Sequence, residues 1–369
     1  MPNPSLPEEL IQEILLRLPV KSLVRFKCVC KSWLSLISDP KFAKSHYDLA
    51  SEPTYRFLFI STSDSQVQSI DIEASLIDHD SPVLSTHVLP HPVSAWSISN
   101  SRIYGSCRGF LLLNYRQRDL LVWNPSTGAF KPIPYPHSNS LYGFWYDAST
   151  DDYLVLFMKI PYAPDWKTDI DIFSLKTNSW DQIEGFKFPY WITRARTEAG
   201  LLLNGALHWL VYSCDYDCVI IAFDLIGRSL FEIPLPYGIH TEDIEGVHLR
   251  VMGDCLCLCN PNSSDRAMAE IWMMKEYKVH SSWTKSFVLP TDNIPRNFFL
   301  PMCFTKSEGL FGSNCSGSLV KFNSEGVLTE HAACRSKSFK LDLLEFAVYR
   351  ESLLSLPGDF GESSEDGQQ

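Results

Sequence analysis

Five segments at a regular spacing of about fifty residues organise this sequence. They are VWNPSTGAF (122–130), IFSLKTNSW (172–180), AFDLIGRSLFEI (222–233), IWMMKEYKVHSSW (271–283) and VKFNSEGV (320–327). Each joins an apolar strand to a turn and then to an apolar residue that opens the next strand. Aligned on Trp123, Phe173, Phe223, Met273 and Phe322, they recur at steps of 50, 50, 50 and 49 residues. A fixed period of this length indicates a repeat architecture.

A second hairpin precedes each of these segments: RGFLLLNY, DDYLVLFM, GALHWLVY, GDCLCLCN and GLFGSNCS. Each repeat therefore holds about four strands, the content of one β-propeller blade of the kelch type. Residues 55–90 hold two more strands, YRFLFIS and VQSIDIEA, and the C-terminal run LLEFAVYRESLLSL is available to complete that blade and close the ring. We therefore predict a mainly β fold with six blades, followed by an acidic, disordered tail beyond Pro357.

Residues 6–48 have a helical period instead. Leu10, Ile11, Ile14, Leu15 and Leu18 form one apolar stripe. We expect a second helix from Val20 to Phe26 and a third from about Cys30 to Ile37. Asp39-Pro40 then interrupts the pattern. The chain is thus predicted to have a helical head and a β body.

Charge is divided unevenly between the head and the body. The net charge of the 369 residues is -11. Residues 1–50 carry seven Lys/Arg and five Asp/Glu, so residues 51–369 carry a net -13. An acidic body argues against nucleic acid or a membrane as partner. The opening MPNPSLPEEL lacks the features of a secretory signal, and eleven cysteines without a CxxC pair fit reduced thiols, so we expect a cytoplasmic or nuclear location.

No catalytic or metal-binding constellation stands out. Cys255, Cys257 and Cys259 alternate along one strand, which fits either a zinc site or, more simply, a buried strand face, because zinc sites generally use CxxC loops. His208 and the other histidines show no HExxH or HxH spacing. Asp151-Asp152 fits a carboxylate pair or a solvated turn. We predict no catalytic residue, no metal and no cofactor.

The head, LPEELIQEILLRLPVKSLVRFKCVCKSWLSLISDPKFAKSH (6–46), resembles an F-box, the helical module that docks on the Skp adaptor of cullin–RING ubiquitin ligases. The resemblance implies that its apolar positions bind the adaptor. These positions are Leu6, Pro7, Ile11, Ile14, Leu15, Leu18, Pro19, Leu23, Val29, Cys30 and Trp33. A piece of about forty residues is also too small to bury all of its apolar surface. The alternative is a helical subdomain packed on its own propeller.

The body resembles the kelch-repeat-like F-box-associated domain of large plant families. Matching strings include GSCRGFLLL, LVWNPSTGAFKPIP, YGFWYDASTDDYLVL, LNGALHWL and AEIWMMKEYKVHSSWTKSF. Trp145 stands where that family often has glycine, and it either alters a surface or fills a pocket. The implied layout is an F-box at 1–48, a propeller at 49–356 and a tail at 357–369.

Together these resemblances imply a non-catalytic substrate-recognition subunit of an SCF ubiquitin ligase. The F-box would bind a Skp-type adaptor and, through it, a cullin–RING ligase. The propeller would hold an unidentified target protein for ubiquitination and proteasomal degradation. Two alternatives stay open, which are an F-box scaffold that acts outside ligases and a propeller enzyme with a helical appendage.

The blade pattern also indicates where a target would bind. In a four-stranded antiparallel blade, the loop between the second and third strands shares a side with the connection to the next blade. These loops are longer than the hairpin turns on the opposite side. They hold the aromatic candidates for target contact, Tyr162, Trp166, Tyr190, Trp191 and Tyr237. The alternative is that these side chains pack beneath their own loops.

Overall fold

The computed structural model describes most of the chain. The residues outside the description are 1–6, 51–53, 62–65, 74–86, 90–100, 117–118, 135–139, 162–165, 193–198, 216, 238, 240–245, 261–267, 295–296, 315–317, 333–345 and 358–369. The predicted tail therefore lies outside the described residues almost entirely. In the described part, no helix is both long enough and apolar enough to span a membrane.

Four helices come first: α1 (Glu8–Leu15), α2 (Val20–Phe26), α3 (Lys31–Ser38) and α4 (Pro40–Leu49). The first three lie where the sequence predicts them. Asp39 does interrupt the helical pattern, since α3 ends at Ser38, but the fourth helix, which follows the break, was not predicted. Oδ1 of Asp39 accepts hydrogen bonds from the backbone N–H groups of Lys41 (2.6 Å) and Phe42 (3.3 Å), so Asp39 caps a new helix. Pro40 tolerates the first helical position, where no N–H is needed.

Six antiparallel sheets follow, one for each blade. Blade 1 begins with β1 (Tyr55–Ser61), β2 (Gln66–Asp71) and β3 (His87–Leu89). Blade 2 contains β4 (Arg102–Cys107), β5 (Phe110–Arg116), β6 (Asp119–Trp123) and β7 (Phe130–Ile133). Blade 3 contains β8 (Ser140–Asp147), β9 (Asp152–Lys159), β10 (Lys167–Ser174) and β11 (Ser179–Lys187). Blade 4 contains β12 (Tyr190–Ile192), β13 (Leu201–Leu203), β14 (Ala206–Ser213), β15 (Cys218–Asp224) and β16 (Ser229–Ile233).

The last two blades and the closing strand complete the ring. Blade 5 contains β17 (His248–Met252), β18 (Cys255–Asn260), β19 (Met268–Met274) and β20 (Trp283–Pro290). Blade 6 contains β21 (Leu300–Phe304), β22 (Leu310–Ser313), β23 (Leu319–Phe322) and β24 (Leu328–Ala332). Finally β25 (Phe346–Arg350) returns to blade 1 and pairs with β1, with Phe57 opposite Val348. The predictions of six blades and of closure by the C-terminal strand are confirmed.

Strand direction gives the propeller two different faces. Hairpins such as those between β4 and β5 and between β6 and β7 lie on one side, which we term the turn face. The loop between β5 and β6 and the connections between blades lie on the other side, which we term the loop face. The first strands of neighbouring blades contact one another, β4 with β8 and β17 with β21 for example, so the first strands line the central channel.

Blades pack on one another through apolar clusters, and Trp145 belongs to one of them. It is only 6% exposed and lies in the cluster between blades 3 and 4, together with Leu156, Leu207 and Trp209. The same indole lines a groove of about 830 Å³, which Tyr146 and Ile226 also line. The sequence left two roles open for Trp145, an altered surface or a filled pocket. The structure favours the second, because the side chain fills space between two blades.

Candidate functional site

The helical head leaves large apolar side chains in contact with solvent. Leu10, Ile14, Val29 and Leu34 are 50%, 51%, 60% and 47% exposed. Leu49, at the end of α4, is 65% exposed as well. Single exposed apolar residues are ordinary, but four of them before α4 in so small a helical piece present an interaction surface. We term these four residues the exposed apolar set.

The residues predicted to bind the adaptor fall into three groups. Exposed are Pro7, Ile14, Pro19, Val29 and Cys30, and half-buried are Ile11, Leu18 and Trp33. Leu6 lies outside the described residues. Leu15 and Leu23 are 1% and 0% exposed, so their prediction as contact residues is corrected: they form the inside of the head.

Two members of the exposed apolar set, Leu10 and Leu34, are not among the predicted contact residues. Leu10 belongs to the apolar stripe that the periodicity identifies, so a signal was present in the sequence. Leu34 follows Trp33 directly and lies outside the matched positions, and no sequence signal separated it from a core residue. Exposure in the fold distinguishes it.

The head is fixed to the turn face by a cluster around Tyr47 of α4. The guanidinium carbons of Arg350 and Arg108 lie 3.7 Å and 4.8 Å from the centroid of the Tyr47 ring. Arg350 also donates a hydrogen bond through Nη2 to the carbonyl oxygen of Tyr47. Two ion pairs flank this cluster, Lys44 Nζ to Asp151 Oδ1 at 3.7 Å and Arg108 Nη2 to Asp48 Oδ1 at 3.8 Å.

Apolar packing joins the same two parts. Leu16, Leu23 and Phe42 of the head belong to one buried cluster with Phe110 of blade 2 and Leu353 of the C-terminal segment. The alternative reading from the sequence, a helical piece packed on its own propeller, therefore holds for one side of the head. The exposed apolar set faces solvent, so the head packs on the propeller through one side and leaves another surface free.

His46 ties the helices of the head together. Its Nε2 lies 2.8 Å from the carbonyl oxygen of Leu18, and because a carbonyl can only accept, Nε2 carries the proton. Burial lowers the pKa of His46 below its usual range, which the hydrogen bond to Leu18 partly offsets. The segment between α1 and α2 is thereby held against α4.

On the loop face, the structure brings two of the predicted aromatic residues together. The rings of Trp166 and Trp191 meet edge to face, with centroids 5.1 Å apart and an interplanar angle of 82°. Nε1 of Trp191 donates to the carbonyl oxygen of Ser213 at 2.9 Å. Trp166 has a φ of 45°, an uncommon conformation for a large side chain, and its carbonyl oxygen accepts from the N–H of Phe188 at 2.7 Å.

The other aromatic candidates are placed differently. Tyr190 is half-buried, and its hydroxyl donates to Glu232; burial, and then this hydrogen bond, raise the pKa of Tyr190. Tyr237 is 81% exposed, but its ring lies 4.4 Å from that of His280, in the hairpin between β19 and β20 on the turn face. Tyr237 is therefore not grouped with the tryptophan pair. Tyr162 lies outside the described residues.

The alternating cysteines and the buried His208 lie in surroundings that explain them as structural residues. Cys257 and Cys259 are buried, 0% and 1% exposed, in the cluster shared by blades 5 and 6, and burial raises the pKa of Cys259 to about 12. Nδ1 of His208 lies 3.0 Å from the Leu201 carbonyl oxygen and Nε2 lies 2.8 Å from the Tyr277 hydroxyl. Within the described ranges, no three His, Cys, Asp or Glu side chains are grouped closely enough to hold a metal ion.

Comparison with known proteins agrees with this division into head and ring. The F-box domain family matches residues 4–45, and the family described as F-box associated beta propeller domain matches residues 58–331. A solved chain of the nidogen/laminin complex covers 82% of this chain at a TM-score of 0.44 and 10% identity, a likeness that carries no functional argument.

Three relatives come from Arabidopsis thaliana. F-box protein CPR1 is 30% identical over 82% of this chain and 78% of its own length. The F-box/kelch-repeat protein At3g23880 is 30% identical over 78% of this chain and 80% of its own. The putative F-box protein At3g16210 is 33% identical over 63% of this chain, and the match spans 61% of that relative's length. With both domain families matched in order, this chain belongs to the plant F-box proteins that carry an F-box-associated β-propeller domain.

Proposed function

We propose that the chain is the substrate-recognition subunit of an SCF ubiquitin ligase. F-box proteins with propeller domains are generally SCF substrate adaptors, and an F-box implies a Skp-type adaptor and a cullin ligase as partners. The observation that carries the proposal is the exposed apolar set, Leu10, Ile14, Val29 and Leu34, on a head that is otherwise anchored to its own propeller. That arrangement leaves one surface for an adaptor.

The mechanism requires proximity and no catalytic side chain. A target held on the propeller meets the charged ubiquitin-conjugating enzyme at a raised effective concentration. The contacts of Tyr47 with Arg108 and Arg350 support this role, because a fixed head gives the bound target a defined position relative to the adaptor. The head occupies the turn face, which leaves the loop face available for the target.

Reconstitution tests the proposal in two stages. The full chain is first co-purified with a Skp-type adaptor, and the Ile14→Glu variant is the negative counterpart. The complex is then assembled with cullin and RING subunits, and ubiquitylation of proteins that proximity labelling identifies near the propeller is measured. Failure of adaptor binding contradicts the F-box role. Adaptor binding without ubiquitylation of any captured protein favours the scaffold alternative.

The enzyme alternative makes a different prediction. A propeller enzyme would turn over a small substrate in the absence of ligase subunits, and its activity would not depend on Ile14. We propose that the chain acts in the cytoplasm or the nucleus, where cullin–RING ligases and reduced thiols coexist. Imaging of a tagged chain in plant cells tests this location, and secretion into the medium would contradict it.

A further inference from the structure

Two exposed cysteines lie within the surface that the head leaves free. Among the described residues the exposed cysteines are Cys28, Cys30 and Cys214. Cysteine is one of the residue types most often buried, and its reactivity more than its packing generally decides where it is kept. Cys28 and Cys30 flank Val29, a member of the exposed apolar set that is itself 60% exposed. A pair of exposed thiols beside an interaction surface therefore needs an explanation.

Backbone hydrogen bonds fix the pair in the connection between α2 and α3. The N–H of Cys28 donates to the carbonyl oxygen of Arg25 at 3.2 Å. Cys30 is the N-cap residue of α3, and its carbonyl oxygen accepts from the N–H of Leu34 at 3.0 Å. Both cysteines are thus held by the ends of the helices that they join. They occupy defined positions next to Val29 and Leu34.

Other cysteines in the described part of the chain are enclosed. Burial raises the pKa to about 12 for four of them, Cys107, Cys218, Cys259 and Cys303. Cys257 is 0% exposed. The thiolate is the nucleophile in thiol chemistry, so a buried thiol with a raised pKa reacts poorly. The exposed pair differs from these cysteines in its access to a reagent in solution.

The chain around the pair is basic. Residues 25–31, RFKCVCK, contain Arg25, Lys27 and Lys31 and no acidic residue, in a chain whose net charge is -11. Arg25 and Lys31 are exposed. Glutathione disulfide has more carboxylates than ammonium groups and is therefore an anion at neutral pH. A basic segment of an acidic protein attracts such a reagent to itself.

We propose that Cys28 and Cys30 form a site of reversible glutathione attachment that prevents adaptor docking. This inference rests on the proposed function, because it names a regulation of the adaptor surface. The thiolate of one cysteine attacks a sulfur of glutathione disulfide, whose S–S bond breaks as a new S–S bond to the cysteine forms. The second glutathione leaves as a thiolate and takes up the proton that the cysteine lost. The cysteine sulfur is oxidised and the leaving sulfur is reduced.

The attached group changes the chemistry of the surface beside Val29. Glutathione brings carboxylates and an ammonium group to a position that otherwise offers an apolar contact. A docked adaptor would have to desolvate these charges, so we expect the adduct to weaken adaptor binding about tenfold or more. A thiol reductant removes the adduct and restores the surface, since a mixed disulfide with glutathione is a reversible modification.

Treatment of the full chain with glutathione disulfide tests the proposal. The chain is treated alone, the reagent is removed, and binding to an untreated Skp-type adaptor is measured by titration calorimetry. Peptide mass spectrometry locates each adduct. We expect an adduct on Cys28 or Cys30 and an affinity about tenfold or more below that of the untreated chain. Dithiothreitol should restore the affinity.

Each variant is compared with itself before and after treatment. The affinity of the double variant Cys28→Ser/Cys30→Ser should not change on treatment, whatever its starting value. The two single variants identify the thiol that reacts. Cys214→Ser is the control and should respond as the wild type does. Cys214 is exposed in the loop between β14 and β15, next to Asp215 and on the loop face, whereas the head lies on the turn face.

Four results would overturn the proposal. They are an adduct on the pair without loss of affinity, an equal loss in the double variant, modification of Cys214 without modification of the pair, and a treated chain that melts several degrees lower. The last would show that the adduct acts by unfolding the head. Untreated wild type that fails to bind any adaptor contradicts the proposed function instead. The adduct map needs no adaptor and still decides whether the pair is the modified site.

Discussion

The guanidinium carbon of Arg350 lies 3.7 Å from the centroid of the Tyr47 ring, so the last strand of the propeller and the last helix of the head are in direct contact. Arg108, from the hairpin between β4 and β5, approaches the same ring at 4.8 Å. Tyr47 is therefore shared by two arginines that belong to different blades. Because Arg350 ends β25, the strand that closes the ring, the orientation of the head depends on ring closure.

Replacement of Tyr47 by Ala should loosen the head. Both cation–ring contacts are lost, and we expect a destabilisation of about 1–3 kcal/mol. Tyr47→Phe retains the ring and is the matched control. Hydrogen exchange of the α4 amides is the measurement, and exchange should accelerate in the Ala variant alone. Equal protection of α4 in the wild type and in Tyr47→Ala would show that the arginines do not hold the head.

Adaptor binding should depend on exposed residues and not on buried ones. Ile14→Glu is expected to abolish adaptor capture and to change the free energy of unfolding by less than about 0.5 kcal/mol, since Ile14 is 51% exposed. Leu23→Ala removes a fully buried side chain and should cost about 2–5 kcal/mol. Pull-down and thermal denaturation are compared for both variants.

Ile226→Glu is the control for Ile14→Glu, because it places the same charge at an exposed isoleucine outside the head. Ile226 is 92% exposed on the turn between β15 and β16, far along the chain from the head. Its variant should bind the adaptor as the wild type does. Loss of adaptor capture in Ile226→Glu as well would contradict docking through the head.

Ring closure should depend on residues 346–357. Nδ2 of Asn124 donates to the carbonyl oxygens of Ser352 and Leu354, both at 3.1 Å, and Asn124 is fully buried. Gly109 has a φ of 90°, and an added Cβ there would lie 2.3 Å from Cβ of Ser352. Deletion of 346–357 should therefore open the ring and remove cooperative unfolding, whereas Asn124→Ala should cost about 1–3 kcal/mol. Calorimetry distinguishes the two, and a cooperative transition in the deletion variant would contradict closure.

The sequence predicted the ring of blades better than it predicted the contacts between the head and the propeller. Strand content and blade number follow from a repeat that is visible in apolar residues such as Trp123 and Phe173, because each blade packs in the same way as the next. The contacts between head and propeller include Tyr47 with Arg350 and Lys44 with Asp151. Both pairs are far apart along the chain, and periodicity carries no information about such contacts. Helix α4 was missed because Asp39-Pro40 is both a turn signal and a helix start, and only the capping hydrogen bonds distinguish them.

The candidate site divides in the same way. The F-box resemblance identified Ile14 and Val29 but could not separate them from Leu15 and Leu23, since apolar positions of one helical module serve both its core and a partner. For the loop face, the edge-to-face contact of Trp166 and Trp191 was not predictable, because β12 pairs with β14 instead of continuing blade 3.

Truncation of Trp145 should destabilise the packing of two blades. The side chain is 6% exposed between blades 3 and 4, so Trp145→Ala is expected to cost about 3–5 kcal/mol. Trp145→Phe, which refills part of the space, should recover much of the loss. Denaturant unfolding measures both variants. A cost below about 1 kcal/mol for the Ala variant would mean that the indole rests on the surface of the groove.

Stability should fall as the pH is lowered from about 6.5 to about 4 because of His208. Burial lowers the pKa of His208 to about 4, against about 6.5 in an unfolded chain. The Leu201 carbonyl oxygen accepts from Nδ1, so Nε2 is left to accept from the Tyr277 hydroxyl, and the neutral ring fits these partners. Below pH 6.5 the unfolded chain takes up a proton that the folded chain refuses until about pH 4. The contribution of His208 to stability is therefore complete above pH 6.5, and up to about 3 kcal/mol is lost across this window.

His208→Gln isolates this effect. Glutamine does not titrate and offers an oxygen to the Tyr277 hydroxyl, so the variant should lack the part of the pH slope that His208 contributes. His46, whose pKa burial also lowers, is present in both proteins, so it contributes equally to both curves. Urea denaturation at pH 7, 6 and 5 gives the free energy of unfolding of each protein. The wild type should lose more of it than the variant does on going from pH 7 to pH 5. Parallel curves for the two proteins would place the acid sensitivity elsewhere in the fold.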